Sequence, residues 1–188
     1  MGASMINLKY VVAALAASLA LSGPLPAQDV AESEPSLLEQ LRTADPVDAK
    51  RLDRQIRMEW SRSGSPTMDL LLKRGRDAME AGNIDIAIGH LSALTDHAPD
   101  FAEGWHSRAQ AFFRAEEYGL ALHDLEQTLA LNPEHFAAMY GLAVVFETLD
   151  KPQQAYALYQ RILDIYPNHA EAREGLERLE IRVNGTEI

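Results

Sequence analysis

The chain contains no cysteine. That removes disulfides, thiol nucleophiles, thiolate metal sites and any cysteine-borne lipid anchor. Basic residues are scarce, 17 against 28 acidic ones, for a net charge of −11. Phosphate-rich partners need Lys and Arg, so nucleic acid is not an expected partner, and docking on an anionic membrane is disfavoured for the same reason. No apolar run reaches the roughly 20 residues that cross a bilayer. There is no Gly-rich phosphate loop, no nucleophile elbow and no His-Glu-x-x-His. The six histidines (His90, His97, His106, His123, His135 and His169) never fall at i, i+4 on one predicted helix, the spacing a helical metal site needs. The sequence therefore yields no catalytic residue, no metal ligand and no cofactor.

The first 27 residues differ from the rest. They carry one charge, Lys9, then the apolar run 10–21, then Ser22-Gly23-Pro24-Leu25-Pro26-Ala27. A basic start, an apolar stretch of about a dozen residues and a small-residue end make a secretory signal peptide, with cleavage expected near Ala27. A periplasmic or secreted location follows as an expectation, without strong membrane binding after cleavage. The remaining chain, of about 160 residues, is long enough for one domain with a continuous core.

What the chain does have is a period. Ala87, Ala121 and Ala155 are 34 residues apart, and so are Pro99, Pro133 and Pro167. Three contiguous copies result, 68–101, 102–135 and 136–169. Gly75, Ala109 and Ala143 share one slot, and Leu91, Leu125 and Tyr159 another. Each copy reads as two helices divided by a breaker, Ala81-Gly82-Asn83, Glu116-Glu117-Tyr118 or Asp150-Lys151-Pro152. The small slots suit close helix approach, where a larger side chain would overpack the contact. The prolines end each second helix by removing a donor and clashing with the preceding turn.

The middle copy, Trp105-x2-Arg108-Ala109-x2-Phe112, then Ala121-x3-Leu125, then Pro133, resembles the tetratricopeptide repeat pattern W-x2-L-G-x2-Y…A-x3-F…P. The resemblance implies an all-α, right-handed solenoid of helix pairs. It also implies a concave face lined by the first helix of each pair and holding a protein or peptide partner. On that basis the groove candidates are Asp69, Leu72, Arg76 and Met79 in copy one, Glu103, His106, Gln110 and Phe113 in copy two, and Tyr140, Val144 and Glu147 in copy three. The family's carboxylate-clamp slots hold Leu72, Arg76, Ser107, Ala137 and Gly141, so chaperone-tail binding is not implied.

About three copies are the minimum for a stable stack, and its ends need caps. After the last copy, Asn168 with Glu171 reads as a capping box opening a helix with the apolar stripe Ala172, Leu176, Leu179 and Val183. Segment 28–67 reads as a linker and a helix pair. Ser36-x-x-Glu39 opens the first helix, Asp45-Pro46 opens the second, and Leu52, Ile56 and Trp60 form its apolar side. This pair is expected to precede copy one as a cap, with a dimerisation arm as the alternative. Residues 50–76 form a mildly basic island in an acidic chain. A solvated face and a docking site for an acidic partner are both open there.

The copies also act as replicates. One first-helix slot holds Arg74, Arg108 and Leu142, and a second-helix slot 16 residues later holds His90, Asp124 and Leu158. The joint exchange of Arg/Asp for Leu/Leu predicts a structural ion pair between Arg108 and Asp124. Arg74 is expected to reach Asp124 from the next copy or to extend to water. The functional expectation is an exported scaffold or adaptor acting in cell-envelope assembly or maturation. The competing reading is an exported enzyme or metal-handling protein using the dispersed histidines and carboxylates.

Overall fold

The computed structural model describes residues 35–185. The signal-peptide expectation and the end of the C-terminal tail lie outside the described residues. Within them the chain is entirely helical, with no strand. A short pair, α1 (Leu37–Thr43) and α2 (Pro46–Trp60), comes first. Three pairs follow: α3 (Pro66–Glu80) with α4 (Ile84–His97), α5 (Ala102–Arg114) with α6 (Tyr118–Leu131), and α7 (Phe136–Thr148) with α8 (Pro152–Ile165). A final helix, α9 (Ala170–Asn184), packs on α8. The antiparallel pairs stack in chain order, with α4 on α5 and α6 on α7.

The small slots do what their size implies. Ala87, Ala121 and Ala155 are fully buried. A Cβ on Gly75 would strike the Leu91 side chain, and one on Gly175 would enter the ring of buried Tyr159. The turn inside each copy carries a left-handed residue at the same slot: Gly82 (φ 77°), Glu116 (φ 62°) and Asp150 (φ 56°). Glycine adopts this conformation freely, whereas a side chain there crowds its own carbonyl. Glu116→Gly should therefore raise the unfolding free energy by about 0.5–1 kcal/mol. The check is a urea midpoint that moves up at unchanged slope, and an unchanged or lower midpoint contradicts it.

Four helix starts, those of α1, α2, α7 and α9, are closed by side-chain caps of two kinds. Ser36 and Glu39 form a reciprocal capping box on α1, and Asp45 accepts from the Val47 and Asp48 amides of α2. Helices α7 and α9 are capped by histidine instead. His135 Nδ1 accepts from the Ala138 amide at 3.1 Å, and His169 Nδ1 from the Ala172 amide at 3.2 Å. The capping box expected from Asn168 is corrected here: His169 is the cap, and the Asn168 amide donates to the Ala44 carbonyl. It ties the C-terminal turn to the N-terminal pair.

That pair does not pack where a cap on copy one would. Leu41, Ala49, Leu52 and Ile56 join one apolar cluster with Phe136, Met139, Tyr159 and Tyr166. The cluster around α3 and α4 contains none of its residues. Trp60 stacks on His135 (4.3 Å between centroids) and tilts over Phe136 (5.1 Å). Arg42 pairs with Glu134 at 2.5 Å. α2 thus lies along one edge of the inner face of copies two and three, and its aromatic end explains the choice: His135 and Phe136 offer Trp60 its ring partners.

Candidate functional site

The inner face has an apolar cleft of about 290 Å³ between α5 and α7, lined by Phe113, Leu125, Tyr140, Val144 and Val145, with Gln110 and Arg114 at its rim. Phe113, Tyr140 and Val144 are half-buried and Gln110 is exposed, so four of the expected groove residues meet on one accessible concavity. Gly141 makes the room: with no side chain of its own, it leaves the floor to Leu125.

The other groove expectations fall elsewhere, and each displacement has a cause. Leu72 and Met79 are buried in the α3–α4 cluster, and the Arg114 guanidinium donates to the Met79 carbonyl across that end. Asp69 accepts from the Ser63 amide and hydroxyl and closes the turn before α3. Glu147 accepts from the Tyr159 hydroxyl at 2.6 Å and from Arg178 at 2.6 and 3.2 Å, so it joins α7 to α8 and α9. Burial and the bond to Glu147 push the Tyr159 phenol up beyond the ordinary range.

Glu103 and His106, an i, i+3 pair on α5, are buried, and with His135 from the start of α7 they build a polar cluster. One ligand-capable atom of each lies within 4.8 Å of the others. Glu103 accepts from Arg76, from His106 Nδ1 at 3.3 Å and from His135 Nε2 at 2.9 Å. The signal available in the sequence was the repeat itself: Glu103 and His135 are 32 residues apart, close to one period, so stacking first helices bring them together. Burial pushes the Glu103 carboxyl up, but electrostatic attraction to His106 and His135 and the bonds from both rings outweigh it and hold it far below its ordinary value. Burial lowers His135.

The hydrogen bonds decide what this cluster can do. Because His135 Nδ1 takes the Ala138 N–H, its proton sits on Nε2, which therefore donates to Glu103 and has no lone pair for a cation. His106 donates through Nδ1 and receives the Gln110 amide at Nε2 (3.2 Å). Arg76 already neutralises the carboxylate and also donates to the Ser61 hydroxyl at 3.0 Å. The arrangement is a satisfied network joining α2, α3, α5 and the start of α7. Binding a divalent ion at His135 Nε2 would move the proton to Nδ1 and set it against the Ala138 N–H.

The expected ion pair partners are also in contact. Arg108 grips Asp124 through two bonds, 2.7 Å from Nε and 2.9 Å from Nη2. Its third nitrogen reaches Thr95 Oγ1 at 2.7 Å, and the guanidinium lies 4.8 Å from the Trp105 ring and 5.5 Å from that of Phe112. Arg74 is exposed, so of its two expected positions it takes the one in water.

Contiguous antiparallel helix pairs with a lined inner face define a helical-repeat solenoid. The chain belongs to the tetratricopeptide repeat family, whose model matches residues 72–122 and 106–170. It is 33% identical over 144 residues to a TPR repeat-containing protein of Rhizobium etli, covering 77% of this chain and 71% of that one. It is 29% identical over 105 residues to human Superkiller complex protein 3, but that match spans only 7% of the human protein. Among solved structures, the first TPR of Spaghetti (RPAP3), bound to the HSP90 peptide SRMEEVD, superposes with a TM-score of 0.62 at 26% identity, covering 64% of this chain and 95% of that one. MamA superposes at 0.59 and 23% identity over 80% of this chain and 86% of its own, a likeness of fold.

Proposed function

We propose that this chain is a non-catalytic adaptor that holds a segment of a partner protein in the cleft between α5 and α7. The observation that carries this reading is the accessible apolar concavity of Phe113, Tyr140 and Val144 on the inner face. A few such anchors in a desolvated pocket supply most of the affinity for a peptide. The peptide complex of the first TPR of Spaghetti supports the mode of binding. Its particular peptide is not carried over, because the clamp slots here hold Leu72, Arg76, Ser107, Ala137 and Gly141. We further propose that the protein works in the periplasm or outside the cell, in envelope assembly or maturation, a reading supported by the N-terminal 27 residues.

The test is photo-crosslinking from position 140 in extracts of the protein's own cells, compared with a Phe113→Asp variant whose helicity and melting are checked. A discrete crosslinked partner that disappears with Phe113→Asp is expected. Crosslinks indifferent to that change overturn the groove reading. Recovery of an uncleaved N-terminus from the cytoplasmic fraction overturns the export reading alone.

A further inference from the structure

The cleft does not end at Tyr140. Tyr140 and Ala137 also line a second, polar cleft of about 500 Å³ whose opposite wall is Lys50, Asp53 and Arg57 of α2. Gln110 lines both, and it also lines the cavity above Glu103, which Arg57 borders as well. The three are lobes of one concavity. It is apolar at the Phe113 end and rich in hydrogen-bond donors at the α2 end.

We propose that this groove reads a partner segment in which an acidic side chain stands beside a large apolar one, the acidic group lying against Lys50 and Arg57. The proposal rests on the groove reading above and adds the chemistry of the partner. Arg57 is held ready for such a group. Its Nε bonds to Asp53 at 2.7 Å, and its guanidinium sits 5.2 Å over the Phe136 ring. Among the described residues its two terminal nitrogens have no acceptor, and the Lys50 ammonium has no partner. Lys50, Asp53 and Arg57 fall at i, i+3 and i+7, one face of α2.

The carboxylates on the same walls leave donors open. Asp53 takes up only the Nε edge of Arg57, and Glu103 is buried beneath Arg76 and two imidazoles. Glu171 stands in the first turn of α9, where the helix end already favours negative charge. In a chain of net charge −11, the Lys50 ammonium and the terminal nitrogens of Arg57 give the polar lobe of the groove donors without acceptors. They complement an anion in a place where the rest of the surface would repel one. They come from α2, outside the three repeats, so the first helices of the repeats alone do not contain this subsite.

The experiment probes an array of immobilised random 12-residue peptides with the purified chain, then measures the tightest peptides by fluorescence anisotropy. Bound peptides should be enriched in Asp or Glu within four residues of Leu, Ile, Met, Phe or Trp. Neutralising both cations with Lys50→Ser and Arg57→Gln should weaken them about tenfold, as two half-exposed charge pairs would. Arg51→Gln with Arg54→Gln, equal charge removed from other positions on α2, should leave affinity unchanged, and melting curves of both variants establish that α2 stays docked. If Phe113→Asp abolishes binding but the peptides show no acidic enrichment, or the Lys50/Arg57 variant binds like the parent, the proposal falls and the groove reading stands. Equal affinity for apolar-free polyglutamate overturns it as charge attraction alone. An array without a single peptide sensitive to Phe113→Asp takes down both.

Discussion

Asp124→Ala should lower the unfolding free energy by about 3–5 kcal/mol, the cost of leaving one member of a buried pair without its counter-charge. Asp124 is 1% exposed and Arg108, 14% exposed in its side chain, has no route to bulk water that keeps its contacts. Removing the carboxylate strands a guanidinium between Trp105 and Phe112 with only Thr95 and Ser92 to receive it. Replacing both residues by leucine should cost much less, because copy three already solves the same position that way. Leu142 and Leu158 occupy the equivalent slots, and they pack in the cluster with Ala109, Ala121 and Leu125. For a domain of this size the single variant should melt roughly 10 °C below the parent. Single and double variants that melt alike would show that Arg108 and Asp124 contribute little as a pair.

That pair was legible because three copies of one motif supply an internal comparison, in which two slots change polarity together. The helix ends were legible for similar reasons: prolines, the Ala81-Gly82-Asn83 break and the Asp45-Pro46 start each limit the backbone locally. The sequence was less informative where partners lie far apart in the chain. Leu72 and Met79 share slots that face inward in the family, yet here they close the α3–α4 core, and Arg114 donates to the Met79 carbonyl. The position of α2 depends on Trp60 meeting His135 and Phe136, about 75 residues away, which no local pattern encodes. The Glu103–His106–His135 cluster was hidden because each histidine reads alone as unpaired. The common slot of His135 and His169 pointed to their role in the turns, and both rings cap the helices that follow.

Glu103→Gln should be nearly as costly as loss of Asp124, about 3 kcal/mol, and should change the response to acid. The amide keeps the size of the side chain but turns an N–H₂ toward donors that need an acceptor: Arg76, His106 Nδ1–H and His135 Nε2–H. In the parent, His135 titrates below its ordinary 6.5 in the folded state, so the unfolded chain binds its proton first and stability declines as pH falls below 6.5. Glu103 titrates far below its ordinary 4.5, so its contribution is intact above 4.5 and is lost progressively as pH falls further. A parent melting curve measured against pH should therefore decline in two stages, and Glu103→Gln should remove the Glu103 part of the lower one. Zinc separates this account from a metal centre. With the His135 proton fixed on Nε2 by the α7 cap, added Zn²⁺ should leave the parent melting temperature unchanged. A zinc-dependent rise that vanishes in Glu103→Gln would mean that metal binding overrides the cap, since a ligand selective for the folded state stabilises in proportion to the logarithm of its saturation.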